Sequence, residues 1–304
     1  MLFIKTFSEN SEGGRILSGD LHCHTKLSDG SLGIDDLIVL AQKKGVSTIA
    51  IMDHDCLAAT VRGKIIGDRH GVKVIPGVEL SATDTKRNKN TTVLCYLPDH
   101  PDRLEGLCRR NLLARKKASQ YMILKASKKY DISPDLILKC ATGSTNVYKQ
   151  HIMHAFMECG LTDRIYGDLY KKIFTGNAPD NITVEPVFPD VTEIINAIHD
   201  AGGIAVLAAS GTEDNYELLE ELTKPGNEGV DGVEVWGPTI DDDRRKHLMS
   251  FAEKNNLLMV GGSNFHGMYG DKHTVGDYTT PKQHLDTLLN FKHYNLKYKT
   301  QQNG

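Results

Sequence analysis

The sequence predicts an α/β fold in which about seven strands and their helices form a barrel, interrupted by one all-helical insertion. Apolar runs of strand length alternate with helical patterns over roughly the first hundred residues, and again after residue 180. The run Thr48 to Met52 is typical of a strand buried on both faces, as in a parallel sheet. Polar residues follow several runs directly, at the strand ends where such barrels carry their chemistry.

The strands and helices of the barrel are predicted from apolar spacing and from the glycines that end several helices. The strands are expected near residues 17–22, 48–52, 73–78, 92–96, 204–208, 231–235 and 257–260. The helices are expected at Asp35–Lys44, Ala58–Arg69, Val191–Ala201, Asp241–Asn255 and Lys282–Phe291. This alternation favours βα units around a parallel sheet.

The alternation stops between about Pro98 and Asp180, where only helical patterns are found. These helices are predicted at Asp102–Tyr130, Pro134–Cys140, His151–Cys159 and Ile165–Thr175. We therefore assign residues 101–180 to a helical insertion that forms part of the substrate pocket. Residues 1–100 and 181–304 are assigned to the barrel.

Composition and charge exclude several classes of protein. The net charge of −3 provides no general attraction to nucleic acid or to a membrane. The sequence contains no apolar run of membrane-spanning length, and its first ten residues lack the pattern of a secretory signal. The six cysteines are scattered, without a Cys-x-x-Cys pair. We expect a reduced, cytoplasmic protein, and no protein partner is evident.

Asp20, His22 and His24 are the clearest candidate site residues. They occur at alternate positions near the end of the first predicted strand. Because side chains alternate across a strand, the three are expected to share a face. Two imidazoles beside a carboxylate suit a metal ion, since histidine is the commonest metal ligand.

Other strand ends supply further candidate ligands, each with a simpler explanation. Asp53-His54-Asp55 follows a buried strand, where Asp55 is equally well explained as a helix cap. Glu79 could be a surface carboxylate, and Asp29 could serve a turn. His266 follows two glycines that allow a close backbone approach. Taken together, histidines and carboxylates at different strand ends suit Zn, Mn or Fe.

These residues resemble the motifs of the PHP (polymerase and histidinol phosphatase) family of metal-dependent phosphoesterases. The matching segments are Asp20-Leu-His22-Cys-His24, Ser28-Asp29-Gly30, Met52-Asp53-His54-Asp55, Pro76-Gly77-Val78-Glu79, Gly202-Gly203-Ile204-Ala205-Val206-Leu207 and Gly262-Ser263-Asn264-Phe265-His266-Gly267. The insertion resembles that of the branch acting on nucleoside 3′,5′-bisphosphates or short RNA 5′ ends. The resemblance implies a distorted (β/α)7, TIM-like barrel that binds two or three metal ions.

The sequence departs from the family pattern at several positions. Ala209 stands where the family has a histidine ligand, Asn264 replaces an aspartate, and Thr92 stands about where another histidine is expected. Lys149-Gln150 replaces the Arg-Pro that usually precedes His151. Alanine cannot bind a metal, and lysine lacks the bidentate fork of arginine. We therefore expect one or two divalent ions (Mn, Zn or Fe) and not three.

The resemblance divides the retained ligands into two sites. Asp29, His54 and His266 resemble one complete site. His22, His24 and Glu79 resemble a second, in which Asn264 weakens the fourth position. The third site would need residues 92 and 209 and is expected to be lost.

The function implied by the resemblance is hydrolysis of a small phosphorylated substrate by a metal-bound hydroxide. A nucleotide is favoured, and a short nucleic-acid end fits the same chemistry. The residues assigned to catalysis are Asp20, His54, Asn264 and His266, and those assigned to substrate binding are Arg109, Arg115, Lys149 and His151. Most basic residues of the long predicted helix are better explained as a solvated face.

Two alternatives to an active enzyme remain open. Ala209 and Asn264 are compatible with a weakened paralogue that binds metal or nucleotide with little turnover. A structural role inside a polymerase is disfavoured, because no polymerase sequence is attached.

Overall fold

Two β-sheets form the scaffold of the protein. The computed structural model describes residues 16–176, 179–208, 215–224, 229–270 and 272–291. The first sheet contains three parallel strands in the order β1-β2-β3: β1 (Ile16–Cys23), β2 (Val46–Ile51) and β3 (Lys73–Ile75). The second contains five strands in the order β4-β5-β6-β7-β8: β4 (Gly77–Asp84), β5 (Lys89–Tyr96), β6 (Ile204–Leu207), β7 (Gly232–Trp236) and β8 (Leu258–Gly261).

The strand directions correct the expectation that the sheet is parallel. β5 runs antiparallel to both β4 and β6, whereas β6, β7 and β8 are parallel to one another. The two sheets approach each other through isolated parallel bridges, His54 with Glu79 and Cys23 with Phe265. The described residues thus form a mixed α/β fold, and a closed barrel is not shown.

Pro76 marks the place where the chain leaves the first sheet and enters the second. The sequence predicted one strand over residues 73–78, but the structure divides it into β3 and β4 on either side of Pro76. Proline has no backbone N–H to donate to a strand ladder, which favours the break. Gly77 then packs so tightly that a side-chain carbon there would lie 2.4 Å from Met52 Cε.

The helices agree with the predicted positions to within a few residues at most ends. They are α1 (Ile34–Lys43), α2 (Ala59–His70), α3 (Glu105–Tyr130), α4 (Pro134–Cys140), α5 (Lys149–Glu158), α6 (Asp168–Phe174), α7 (Val191–Asp200), α8 (Asn215–Leu222) and α9 (Asp242–Lys254), followed by a helix over residues 282–291. The sequence analysis missed α8, and α3 is preceded by a 3₁₀ turn at Pro101–Leu104. Within the described ranges, no helix is long and apolar enough to cross a membrane.

Helices α3 to α6 share an apolar core of their own. Met122, Ile137, Phe156 and Ile173 are buried in it, one from each helix, and Tyr269 closes it from the loop after β8. The division into a barrel and an insertion at residues 101–180 stays a prediction.

Asn111 ties the long helix α3 to the sheet that carries the strand ends. It is fully buried and donates through Nδ2 to Asp55 Oδ1 and to the Ser81 carbonyl, each at 2.8 Å. Asp55, which has a left-handed φ of 52°, also accepts the Ser81 N–H at 2.9 Å. This network fixes the distance between α3 and the site.

Replacing Asn111 by alanine is therefore expected to destabilise the protein by about 2 kcal/mol, because buried acceptors lose their donor. Urea unfolding measures the change in free energy. Ser119→Ala is the matched control, since Ser119 is buried on the same helix but donates only to Lys116 O within it. Equal losses for the two variants would contradict the role of Asn111 as a tether.

Candidate metal centre

Six of the predicted ligands lie together at one end of the strands. Their ligand atoms form two overlapping groups, within each of which all atoms lie within 4.8 Å of one another. The first group is His24, Asp29, His54 and His266, and the second is His22, His24 and Glu79. The sequence had placed His24 in the second group alone, whereas the structure makes it common to both. The groups therefore form one continuous cluster.

Glu79 and Asp29 are the two carboxylates around which the imidazoles gather. Glu79 Oε2 lies 3.3 Å from His22 Nε2, 3.2 Å from His24 Nε2 and 3.3 Å from His54 Nδ1. Asp29 Oδ1 lies 3.2 Å from His266 Nε2 and 3.6 Å from His24 Nδ1. The rings of His24 and His266 stack with centroids 4.0 Å apart.

The loop that carries Asp29 is held by Asp53. The Asp53 carboxylate accepts the N–H and the hydroxyl of Thr25 at 2.8 and 2.6 Å, and the hydroxyl of Ser28 at 2.7 Å. Gly30 lies against this turn, where a side-chain carbon would come 2.7 Å from His24 O. Asp53 thus positions the Asp29 loop. The helix cap considered for Asp55 is not found, since α2 begins at Ala59 and the Asp55 carboxylate bonds to Ser81.

Asp20 does not join His22 and His24 in the cluster, and the expectation of a shared face fails for it. Its carboxylate accepts the backbone N–H groups of Ser263 and Gly276 at 2.8 and 2.9 Å. The pairing of β1 with β2 is irregular between Asp20 and Cys23, so strict alternation does not hold. Burial raises the pKa of Asp20. These contacts give Asp20 a part in holding the loops after β8.

Several buried polar atoms of the cluster have no hydrogen-bond partner among the described residues. They are both ring nitrogens of His24, Nδ1 of His54 and Oδ1 of Asp29. Buried polar atoms are normally paired, so four orphans in one place indicate a missing partner. All four are lone-pair donors suited to a divalent cation, and a mixture of imidazole and carboxylate suits Zn, Mn or Fe. The residues fit a metal.

Burial and neighbouring charges shift the pKa values of the cluster residues. Burial alone would lower the pKa of His54, but Glu79 and Asp29 raise it to about 9. Burial would raise the pKa of Glu79, but His54 and His22 hold it well below its usual range. His24 differs, because burial and the neighbouring His266 lower its pKa to about 3. The carboxylates are therefore ionised and ready to bind a cation.

Glu234 is a site residue that the sequence analysis missed. Its Oε1 lies 2.8 Å from His22 Nδ1, and both side chains are buried. Carboxylates in this position fix the tautomer and orientation of a metal-binding histidine. The sequence does contain a signal for Glu234: it is a single charged residue inside the apolar run of β7, Gly-Val-Glu-Val-Trp.

Two of the positions that depart from the family pattern, Thr92 and Asn264, border the cluster. Thr92 and Asn264 line a cavity of about 340 Å³ together with His54, Glu79 and His266. Asn264 adopts a left-handed φ of 48°, and its backbone carbonyl oxygen lies 2.7 Å from His266 Nδ1. Asparagine tolerates this backbone region better than most residues. Ala209 lies outside the described residues.

The cavity also exposes two residues that the sequence analysis did not assign. Gln150 Nε2 donates to Asp29 Oδ2 at 3.2 Å, and both Gln150 and His273 line the cavity. A larger cavity of about 490 Å³ lies near Asp84 and Glu221, and none of the six ligands lines it. We take the smaller cavity as the site because it contains the clustered chemistry.

The structure separates the four predicted substrate-binding residues. Arg115 lies partly buried beside the cluster and donates to Asp55 Oδ2 at 3.2 Å and to Ser81 Oγ at 2.5 Å. Lys149 pairs with Glu185 at 3.1 Å, and Arg109 lies exposed on α3. None of the four predicted substrate-binding residues lines the cavity.

His151 is engaged inside the protein. Its Nδ1 accepts the Tyr148 N–H at 3.1 Å at the start of α5, and the side chain is buried. Burial lowers the pKa of His151 to about 4. A neutral ring with its Nδ1 occupied helps to cap the helix, so a direct phosphate contact through that nitrogen is not supported.

The fold and this cluster of histidines and carboxylates define a metal-dependent phosphoesterase, and comparison with known proteins supports that class. Residues 20–200 match the PHP domain, so the chain belongs to the PHP domain family. A crystal structure from Bifidobacterium adolescentis superposes with a TM-score of 0.79 at 24% identity, over 89% of this chain and 95% of that one.

Curated relatives match nearly along their whole length. The phosphoribosyl 1,2-cyclic phosphate 1,2-diphosphodiesterase of Eggerthella lenta is 30% identical over 84% of this chain and 97% of its own. The 5′-3′ exoribonuclease Rnm of Escherichia coli is 29% identical over 81% and 84%. The 3′,5′-nucleoside bisphosphate phosphatase of Chromobacterium violaceum is 24% identical over 81% and 86%.

Substituting Glu234 by glutamine should weaken metal binding about tenfold or more, because a neutral amide orients His22 less firmly than a carboxylate does. Titration of Mn²⁺ into the metal-free protein, followed by electron paramagnetic resonance, measures the affinity. Glu253→Gln is the control, since Glu253 is exposed on α9. An unchanged affinity for the Glu234 variant would refute the role of that carboxylate.

Acidification should destabilise the protein partly through His151. The folded-state pKa of about 4 lies below the ordinary value of 6.5, so between these values only the unfolded state takes up the proton. Stability contributed by neutral His151 is complete above pH 6.5 and is lost as pH falls towards 4, by up to about 3 kcal/mol.

The variant His151→Asn should show a correspondingly smaller loss of unfolding free energy over this window, measured by urea unfolding at pH 7, 5.5 and 4. Asparagine can still accept the Tyr148 N–H. The exposed His100→Asn variant should follow the unmodified protein. Parallel curves for all three proteins would contradict the assignment.

Proposed function

We propose that this metal-dependent phosphoesterase hydrolyses phosphate esters of ribose, with a small nucleotide as the favoured substrate and a short RNA end as a related one. The observation that carries the proposal is the joined cluster of six ligands, His22, His24, Asp29, His54, Glu79 and His266. Three of them, His54, Glu79 and His266, line a cavity of about 340 Å³. A cavity of this size suits a small molecule or the terminal residue of a chain.

The named activities of the relatives share one chemical group. A cyclic phosphate of phosphoribose, a nucleoside bisphosphate and the 5′ end of RNA all present a phosphate ester on a ribose. This common group supports ribose phosphates as the substrate class of the present chain. A second phosphoryl group is present in the first two of these substrates.

The mechanism that we propose divides the work among the residues of the cluster. When bound, one or two divalent ions (Mn, Zn or Fe) would lower the pKa of water and offset charge on the phosphoryl oxygens. Asp29 and Glu79 provide the negative charge of the site, and the four histidines complete it. Among the residues assigned to catalysis, His54 and His266 act as ligands and Asn264 presents a neutral amide to the cavity.

Other residues hold this arrangement in place. Glu234 orients His22, and Asp53 fixes the Asp29 loop. Asp20 Oδ1 accepts the backbone N–H of Ser263 at 2.8 Å, and Ser263 lines the cavity. Thr92 contributes only a neutral hydroxyl at the position of the third family site, which supports at most two ions.

The second candidate function is binding with little turnover. It is favoured by Asn264, which lines the cavity and adds no charge where the family has an aspartate, and by alanine at position 209. In this case the protein would be stabilised by metal and nucleotide without rapid hydrolysis. Restoring His at 209 and Asp at 264 together should then raise the rate.

Turnover by reconstituted protein tests the proposal. Metal-stripped protein should regain hydrolysis on addition of Mn²⁺, Zn²⁺ or Fe²⁺, measured with a nucleoside 3′,5′-bisphosphate, a 5′-phosphorylated short RNA and a cyclic ribose phosphate. Asp29→Asn should lower kcat/KM by about a hundredfold or more, because it removes charge from the ligand cluster.

Asp35→Asn is the matched control, since Asp35 pairs only with Arg62 on the surface. Its activity should equal that of the unmodified protein. The absence of turnover on every substrate with every metal, while ligand binding persists, would favour the second candidate.

A further inference from the structure

The cavity beside the metal cluster contains three ring-bearing side chains that are not candidate ligands. Tyr166, Pro238 and His273 line it together with three of the six ligands. They come from distant parts of the chain, since Tyr166 lies between α5 and α6, Pro238 follows β7, and His273 follows β8. The part of the cavity that the ligands do not form is therefore rich in rings.

Tyr166 is held in place by two contacts and still remains accessible. Its hydroxyl donates to the backbone carbonyl of Tyr269 at 2.8 Å. Its ring meets that of Tyr170 edge to face, with centroids 4.9 Å apart at an interplanar angle of 64°. Nevertheless, 42% of the residue is exposed. A fixed and accessible ring is preorganised for a flat partner, because little side-chain freedom is lost when that partner binds.

The His273 ring is braced in a similar way. It meets the Tyr278 ring edge to face, with centroids 5.1 Å apart at an interplanar angle of 83°. His273 and Pro238 are both partly buried, so each presents only part of its surface to the cavity. The cavity thus has ring surfaces from three separate segments.

The cavity offers no basic side chain to a second anionic group. Among the described residues that line it there is no lysine or arginine. Its other polar lining side chains are neutral, namely Thr92, Gln150, Thr239, Ser263 and Asn264. The portion of a substrate that extends from the metal cluster into the cavity is therefore matched by rings and neutral polar groups.

A nucleobase has the chemistry that such a cavity recognises. It is flat, it has a π face on each side, and its edge carries neutral hydrogen-bond donors and acceptors. Stacking of a base on an aromatic side chain changes affinity by about tenfold or more, and every base has a face that can stack. A ribose without a base has no flat face and gains nothing from the Tyr166 ring.

We propose that Tyr166 is the stacking platform for the base of a nucleotide, and that Pro238 and His273 complete a base slot formed by these three residues. The proposal rests on the proposed function, because the metal cluster sets where the phosphate lies. It narrows the substrate class from ribose phosphates in general to those that carry a base.

Binding of adenosine to the full-length protein loaded with Zn²⁺ tests the base slot without turnover, because adenosine has no phosphate ester. Titration followed by nuclear magnetic resonance should give a dissociation constant about tenfold higher for Tyr166→Leu than for the unmodified protein. Tyr166→Phe keeps the ring and removes only the hydroxyl, so it should bind adenosine nearly as the unmodified protein does. Circular dichroism checks that each variant is folded.

Tyr121→Leu is the matched control. Tyr121 is 52% exposed on α3 and does not line the cavity. This variant should bind adenosine as the unmodified protein does. Equal affinities of the Tyr166→Leu variant and the unmodified protein, or no binding of adenosine by the unmodified protein, would overturn the proposal.

Kinetics of the metal-loaded enzyme provide the second measurement. Adenosine 5′-monophosphate and ribose 5-phosphate carry the same phosphate ester and differ in the base. Tyr166→Leu should raise KM for the nucleotide about tenfold and leave the values for ribose 5-phosphate unchanged. An equal effect on both compounds would overturn the base slot. Absence of turnover on every phosphate ester would refute the proposed function instead, and the adenosine titration would still decide the base slot.

Discussion

The carboxylate of Glu79 is the group on which the site depends, because it meets three imidazoles from two other parts of the chain. His22 and His24 reach it from β1, and His54 reaches it from the end of β2. The backbone of Glu79 also bridges to that of His54, so the contact joins the two sheets. A buried carboxylate surrounded by imidazoles is stable only if charge balances within the cluster, which is what a bound cation or protons on the histidines supply. The candidate metal centre and the junction of the sheets are thus the same physical feature.

A second buried network extends this junction towards the helices. Asp55 joins Ser81 on β4 to Asn111 and Arg115 on α3, and Arg115 covers the Tyr148 ring at the start of α5. The helical segment is therefore attached to the strand ends through polar contacts as well as through its apolar core. Side chains on helices fixed in this way have little freedom of movement beside the strand ends.

Much of this arrangement could be predicted from the sequence, for identifiable reasons. His22, His24, His54 and His266 each follow or end an apolar run, and strand ends of an α/β fold meet at one edge. The direction of β5 could not be predicted, because apolar runs show burial but not orientation. Asp20 was misplaced because the irregular pairing of β1 breaks the alternation on which the expectation rested. Glu234 was missed because its contact with His22 joins segments that are far apart in the chain.

The central claim is that the histidine and carboxylate cluster is a metal site. Elemental analysis of protein purified without chelator tests it most directly, with the Glu79→Gln variant analysed in parallel. The account predicts between one and two equivalents of Mn, Zn or Fe per chain in the unmodified protein, and a marked loss in the variant. Metal near zero in the unmodified protein, together with no uptake when Mn²⁺, Zn²⁺ or Fe²⁺ is added, would contradict it.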